Sequence, residues 1–179
     1  MDVTFIVGTF GDASWIELAA ARAVPSCEAT GFPVIHHHGE TLAAARNAGA
    51  SRAESEWLVF VDADDAVAPG YVEGLGSVGD LRVPRLILGG REVRLRSRWI
   101  ELTNPCPIGT AIRRDMFADC GGFPEFDACE DWALFLRASR RGASIVHTDA
   151  VYVAEANELG RNSTVADPER LHREIRAWA

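Results

Sequence analysis

Lysine is absent from this chain of 179 residues, so all eighteen of its basic side chains are arginines. The absence excludes a phosphate-binding loop of the GxxxxGKS/T type, and it excludes Schiff-base chemistry on a lysine amine. Any cationic contact to a phosphate must therefore come from arginine, whose planar guanidinium suits phosphate oxygens well.

Cysteines and long apolar runs are also few. The four cysteines form no CxxC pair, which is typical of thiols in a reducing compartment: Cys27, Cys106, Cys120 and Cys129. No apolar run approaches the ~20 residues that span a bilayer, and no charged leader opens the chain, so we expect no membrane span and a cytoplasmic location. The net charge of −8 argues against nonspecific binding to nucleic acid or anionic membrane.

The remaining composition is that of a globular protein. Hydrophobic residues make up 47% and charged residues 25% of the chain, and its length suffices to bury a substantial core. We expect one domain over residues 1–179, in which residues 1–68 form a nucleotide-binding half and residues 69–179 a second-substrate half.

The most informative segment is a short apolar run followed by acidic residues. Trp57–Val61 reads as a strand that is buried on both faces, as in a parallel sheet. Asp62, Asp64 and Asp65 follow directly, at the end of the strand where open α/β sheets bind ligands. Three carboxylates in one turn repel each other, and oxygen ligands of this kind suit Mg²⁺ or Mn²⁺ completed by substrate phosphates. A solvated acidic turn is the alternative.

Strands and helices are predicted to alternate in the first half, which indicates a parallel sheet with right-handed crossovers. The predicted elements are strands at Val3–Gly8, Pro33–His37 and Trp57–Val61, and helices at Ala13–Val24, ended by Pro25, and Glu40–Ala53.

The second half is mixed. A hairpin is predicted around Gly89 and Gly90, two short strands at Ser144–His147 and Ala150–Val153, and a final helix capped by Asp167. A helix over Asp127–Arg141 is predicted to begin with a capping box between Asp127 and Glu130.

Five segments, in this order, resemble the family 2 glycosyltransferases of the GT-A fold. They are Val3–Asp12, Leu42–Ala50, Trp57–Pro69 with its acidic motif, Gly109–Phe123, and Glu130-Asp131-Trp132. The resemblance implies a Rossmann-like α/β fold with a mixed, mainly parallel sheet flanked by helices. It also implies a metal-dependent, inverting enzyme that moves a sugar from a nucleoside diphosphate sugar to an acceptor hydroxyl, with Mn²⁺ or Mg²⁺ as the cofactor.

The same resemblance assigns roles to individual residues. On the donor side, Thr9, Phe10 and Asp12 lie by the nucleoside, Arg46 approaches the base or phosphates, Asp62 and Ala63 lie by the ribose or sugar, and Asp64, with Asp62, holds the metal. On the acceptor side, Asp131 is the base and Glu130 lies beside it.

The chain departs from the family at two places. The second strand lacks the acidic turn that usually reads the base, so this unit looks shortened and the nucleotide stays open. No histidine stands where the family often completes its metal site; Glu155 is a substitute there, and Arg161 and Ser163 are candidates for a phosphate-covering loop. The three histidines of the run His36–His38 cannot all converge on one metal ion, because adjacent strand residues point to opposite faces, so metal binding is the less favoured reading of this run.

Each assignment has an alternative. In these alternatives Glu130 forms only a capping box, and Asp131 only interacts favourably with the helix dipole. Arg46 is a solvated surface residue, and Thr9 and Phe10 are ordinary residues at the end of a strand. The whole chain can be a degenerate nucleotide-sugar-binding domain, or a phosphatase with an aspartate nucleophile. The acceptor and the oligomeric state stay open.

Overall fold

The computed structural model describes residues 1–96, 99–155 and 165–179. Its strands are β1 (Val3–Phe10), β2 (Val34–Gly39), β3 (Trp57–Val61), β4 (Ala66–Val67), β5 (Leu81–Leu88), β6 (Arg91–Val93), β7 (Ala111–Arg113) and β8 (Ile145–Ala154). Its helices are α1 (Ser14–Ala21), α2 (Ala23–Glu28), α3 (Leu42–Ser51), α4 (Tyr71–Gly74), α5 (Arg114–Asp119), α6 (Glu130–Arg140) and α7 (Pro168–Trp178). None of the described helices is long and apolar enough to cross a membrane.

The strands form one mixed sheet in the order β2-β1-β3-β7-β5-β8-β4, with β6 paired to β5. In the first half β1 runs parallel to both β2 and β3, as the alternation of strands and helices predicted. In the second half β7 is antiparallel to its neighbours β3 and β5, while β5 and β8 are parallel. β7 lies between β3 of the first half and β5 of the second half, so the sheet and the hydrophobic core run continuously through both halves.

Small residues let α3 lie close to β1. A side-chain carbon added at Gly49 of α3 would approach Cγ2 of Ile6 to 2.5 Å, and one added at Gly8 of β1 would approach Cγ of Arg46 to 2.8 Å. The Thr41 hydroxyl caps α3 by accepting the backbone N–H of Ala44 at 3.0 Å. This close packing brings Arg46 over the end of β1.

The Gly-Gly-Phe segment is held against α3 by one amide side chain. Asn47 donates from Nδ2 to the carbonyl of Phe123 and accepts the N–H of Phe123 at Oδ1, both at 2.9 Å. Gly122 has a φ of +75°, and a side-chain carbon there would lie 2.6 Å from the same Oδ1. Two motifs that are far apart in sequence are therefore parts of one contact.

Three local predictions are wrong and one is confirmed. The helix predicted to be ended by Pro25 instead breaks at Arg22 and resumes as α2, and Pro25 lies in the first turn of α2, where its missing N–H removes no helical hydrogen bond. The two short strands are one strand, β8, with an irregular register opposite Pro84, which cannot donate to the ladder. The predicted cap of the last helix is confirmed, since Asp167 Oδ1 accepts the N–H of Arg170 at 2.9 Å.

The third wrong prediction concerns the capping box of α6. This helix begins at Glu130 after Cys129, which has a φ of +59°, and no side chain caps it. Asp127 lies outside the helix because the positive φ of Cys129 turns the chain immediately before Glu130. Glu130 is thus available for a contact elsewhere.

Candidate functional site

The acidic motif follows β3 and alternates between half-buried and buried side chains. Asp62 and Asp64 are half-buried, whereas Ala63 and Asp65 are buried. Residues 62–65 form a turn, closed by the N–H of Asp65 to the carbonyl of Asp62 at 3.1 Å, which lies at the carboxyl end of β3.

Asp65, to which the sequence assigned no role, ties this motif to β8. Its Oδ2 accepts the hydroxyl of Tyr152 at 2.7 Å, and its Oδ1 accepts the N–H of Glu155 at 3.1 Å. The Tyr152 hydroxyl in turn accepts the N–H of Asp62 at 3.2 Å. Burial, and then the charge of Asp62, raise the pKa of Asp65 to about 7. The signal in the sequence was only its place in the acidic run.

Asp64 and Asp62 suit the cation that the resemblance implies. Burial, and then the negative charge of Asp62, raise the pKa of Asp64, so its surroundings leave its charge poorly compensated. Among the described residues no group of three or more histidine, cysteine, aspartate or glutamate side chains is placed to hold a metal. One or two protein carboxylates with substrate phosphates are nevertheless the usual ligands of Mg²⁺, so this donor set fits the ion.

Arg46 is buried between two carboxylates. Its side chain is ion-paired with Asp62 and, at 2.7 Å from Nη1, with Oε1 of Glu130, and its guanidinium lies 5.1 Å from the centre of the Phe123 ring. Burial lowers the pKa of Arg46, but the charges of Asp62 and Glu130 raise it on balance. The solvated alternative for Arg46 is wrong, since the residue is only 2% exposed. A contact of Arg46 with the base or phosphates stays a prediction.

Asp131 follows Glu130 in the first turn of α6 and is half-buried. Its Oδ1 accepts the N–H of Trp132 at 2.7 Å, and its Oδ2 accepts Nδ2 of Asn104 at 2.8 Å. Burial, and then the charge of Glu130, raise the pKa of Asp131 to about 7, against the lowering effect of Arg46. The dipole of α6 therefore does not decide the protonation of Asp131, and a carboxyl with this pKa can accept a proton near neutral pH.

The loop before β7 is fastened to the first turn of α6. Asn104 Oδ1 accepts the N–H of Cys106 at 3.0 Å, and Trp132 Nε1 donates to the carbonyl of Ile100 at 2.7 Å. Burial raises the pKa of the Cys106 thiol, so it is not a thiolate nucleophile at neutral pH. The sequence did not single out Asn104, because a lone asparagine before Pro105 in a loop carries no motif.

The predicted nucleoside side lies at the end of β1. Thr9 is buried, and its hydroxyl lies 3.1 Å from both Nε2 of His36 and Nδ1 of His38 on β2. Phe10 is partly exposed; Asp12 is exposed and accepts the N–H of Ser14 at 2.8 Å, a contact that lowers the pKa of Asp12. The structure brings Thr9 and Phe10 to the same sheet edge as Asp62, while their contact with a nucleoside stays a prediction.

Glu155 lies next to the acidic motif through its N–H bond to Asp65, and its carboxylate is ion-paired with Arg22. The sequence had not pointed to Arg22. Arg161 and Ser163, proposed for a phosphate-covering loop, lie outside the described residues.

Comparison with known proteins finds similarity to glycosyltransferases. Residues 18–78, about a third of the chain, match the model of glycosyl transferase family 2. A segment of 50 residues is 42% identical to the putative glycosyltransferase EpsH of Bacillus subtilis (strain 168), which covers 27% of this chain and 14% of EpsH.

Solved structures of TarS from S. aureus share the fold. TarS 1–349 in complex with UDP-GlcNAc matches with a TM-score of 0.65 at 20% identity, over 99% of this chain and 66% of that one. TarS 1–349 in complex with UDP matches with a TM-score of 0.56 at 18% identity, over 99% of this chain and 70% of that one. The chain thus spans about two thirds of TarS 1–349 and a small part of EpsH.

These findings confirm the resemblance to family 2 glycosyltransferases and the expected GT-A fold. The enzyme class that the family model and the curated relative name, a glycosyltransferase, is the class expected from the sequence.

Proposed function

We propose, for a chain that matches the family 2 glycosyltransferases in sequence and has the GT-A fold, that it transfers a sugar from a nucleoside diphosphate sugar to an acceptor hydroxyl with inversion at the anomeric carbon. UDP and UDP-GlcNAc are bound by TarS, so a uridine nucleotide is the first donor to test here. The acceptor is any compound that presents a hydroxyl to Asp131.

One observation carries the proposal: Arg46 joins the two acidic motifs into a single site. Its guanidinium contacts Asp62 after β3 and Glu130 at the start of α6, although Arg46 and Glu130 are 84 residues apart in the chain. The carboxylates of the donor motif and of the base motif are therefore held around one buried cation. We propose residues 1–68 as the donor half and residues 69–179 as the acceptor half on this basis.

The chemistry follows from the charges of these residues. Asp131, with its pKa raised to about 7, accepts the proton of the attacking hydroxyl, while both of its oxygens are oriented by N–H donors. Direct attack helped by one base gives inversion. A divalent cation held by Asp64, with Asp62 beside it, would supply a Lewis acid for the departing diphosphate. Thr9, Phe10, Asp12 and Ala63 are proposed to lie along the nucleoside and sugar.

The donor site is tested by Asp64→Asn. We expect wild-type protein to bind UDP more tightly in Mn²⁺ than in EDTA, and the variant to lose at least tenfold of that gain, because Asp64 is a half-buried carboxylate whose surroundings leave its charge poorly compensated. Isothermal titration calorimetry in both buffers measures it. Asp119→Asn, an exposed carboxylate on α5, is the control and keeps the gain. Equal gains in wild type and Asp64→Asn would contradict the metal assignment.

A binding domain without turnover is the second candidate, favoured because Gly39, Glu40 and Thr41 at the end of β2 do not form the Asp-Asp-x-Ser-like turn that is usual in the family. Release of UDP from UDP-GlcNAc, with water or a hydroxyl compound as acceptor, separates the two candidates. A protein that binds UDP with Mn²⁺ but does not cleave UDP-GlcNAc into UDP and the sugar is a binding domain. The match to the GT-A fold does not favour the alternative of a phosphatase with an aspartate nucleophile.

Asn104 is predicted to set the pH at which the base works. In Asn104→Ala the carboxylate of Asp131 loses one N–H donor, so its ionised form is less stable and its pKa rises further. We expect the acidic limb of the pH profile of kcat/KM to move upward by roughly one pH unit. Thr103→Ala, its exposed neighbour, is the control and leaves the limb in place.

The cytoplasmic location stays a prediction. Cys27, Cys106 and Cys120 are free thiols, which agrees with a reducing compartment.

A further inference from the structure

Arg22 is a cation at the donor side that the site as described does not use. It lies at the break between α1 and α2, where its φ of −131° and ψ of −70° interrupt the helix. One terminal nitrogen of its guanidinium is ion-paired with Oε1 of Glu155, whereas its Nε is buried and has no hydrogen-bond partner among the described residues. A buried N–H without an acceptor is costly, so a ligand that accepts from it gains affinity.

The ion pair adjoins the acidic motif. Glu155 donates its backbone N–H to Asp65 Oδ1 at 3.1 Å. This hydrogen bond holds the backbone of Glu155 beside the acidic motif. Asp64 feels both members, since the charge of Arg22 lowers and that of Glu155 raises its pKa. Arg22 therefore lies close to Asp64, at the same end of the parallel strands.

The other arginine of the site, Arg46, is less accessible to a ligand: its Nε also has no hydrogen-bond partner among the described residues, but its side chain is only 3% exposed, against 33% for Arg22. Arg46 is enclosed by Asp62, Glu130 and the ring of Phe123, and the chain has no lysine. A diphosphate bound near Asp64 needs cationic hydrogen-bond donors, and among the described residues of the site Arg22 has donors left over after its ion pair.

We propose that Arg22 binds the diphosphate of the donor and that Glu155 holds its guanidinium in place until the donor arrives. This inference rests on the proposed function. The side chains of Arg22 and Glu155 are 33% and 49% exposed, so water screens their attraction and the pair exchanges easily. The phosphates compete with Glu155 for the same guanidinium, and the two states differ only in the partner of Arg22.

Calorimetry in EDTA, with UDP and with inorganic pyrophosphate as probes, tests the proposal without any metal. Arg22→Gln is expected to weaken both probes by about tenfold, because charge-assisted hydrogen bonds to the phosphates are lost. Glu155→Gln is expected to tighten both probes by about threefold, because the competing carboxylate is gone. The double variant is expected to bind like Arg22→Gln alone.

The control is Arg52→Gln, an exposed arginine at the end of α3, which should leave both affinities unchanged. The inference is overturned if Arg22→Gln binds both probes like wild type, or if it weakens UDP but not pyrophosphate. If Arg22→Gln does not fold, the affinity of Glu155→Gln for the two probes tests the proposal instead. Unchanged or weaker binding by Glu155→Gln overturns the proposal that the phosphates replace Glu155 as the partner of Arg22. Wild-type protein that binds no UDP even with Mn²⁺ would contradict the proposed function as well. Failure of the Arg22 proposal and failure of the proposed function are therefore distinguishable.

Discussion

Asp131→Asn is expected to lower kcat for sugar transfer by ~10²–10⁴-fold and to leave the affinity for UDP unchanged. The size is that of general-base assistance, and the amide keeps the shape of the side chain while it cannot accept the hydroxyl proton. Donor contacts are expected to be spared because the carboxylate of Asp131 accepts its hydrogen bonds from Asn104 and Trp132, and none of them involves the acidic motif. Initial rates of UDP release and calorimetry with UDP measure the two quantities.

The same residue predicts the pH dependence. A base must be ionised, so kcat/KM should rise with pH and level off above the pKa of about 7 that burial and Glu130 confer on Asp131. The limb should vanish in Asp131→Asn, whose residual rate no longer depends on that ionisation.

Asp127→Asn is the matched control for this experiment. Asp127 is an exposed carboxylate just before the same helix, and no side chain caps that helix. We expect its rate and its pH profile to equal those of wild type. A large fall in kcat for Asp127→Asn, or none for Asp131→Asn, would remove Asp131 from the role of base.

Arg46→Met is expected to lower the free energy of unfolding by about 3–5 kcal/mol. Methionine fills much of the same volume, but it leaves Asp62 and the buried Glu130 without their shared counter-ion, and breaking a buried ion pair from one side is costly for this reason. Urea denaturation followed by circular dichroism at pH 7.5 measures the loss.

Two further variants separate charge from packing. Arg46→Met combined with Glu130→Gln should recover part of the loss, because one of the two uncompensated charges is removed together with the cation. Arg52→Met, an exposed arginine at the end of the same helix, should change stability by about 0.5 kcal/mol or less. A loss of similar size in Arg46→Met and Arg52→Met would mean that the Arg46 pairs contribute little.

Secondary structure that a strong local sequence pattern specifies was predictable. The strand Trp57–Val61 appears in the structure with the same bounds, because five successive apolar residues leave few alternatives to a strand buried on both faces. The order of the motifs also led to the correct fold, since strand and helix alternation permits few topologies.

Partners far apart in sequence were not predictable. Glu130 was expected in a capping box with Asp127, three residues away, yet it pairs with Arg46, 84 residues away. Arg22, Asn104 and Tyr152 have no motif of their own, and their importance arises from the side chains that the fold brings to them.

The sequence alone determined the arginine-only chemistry, the buried strand that ends in carboxylates, and the resemblance to family 2 glycosyltransferases. These properties are local, because they depend on residue type and on spacing within a few turns of chain. Only the tertiary structure decided which cation each carboxylate meets and how far burial raises the pKa of Asp131. Such pairings and pKa shifts depend on distance in space and on exclusion of water, and both are settled only when β1, β3, α3 and α6 pack together.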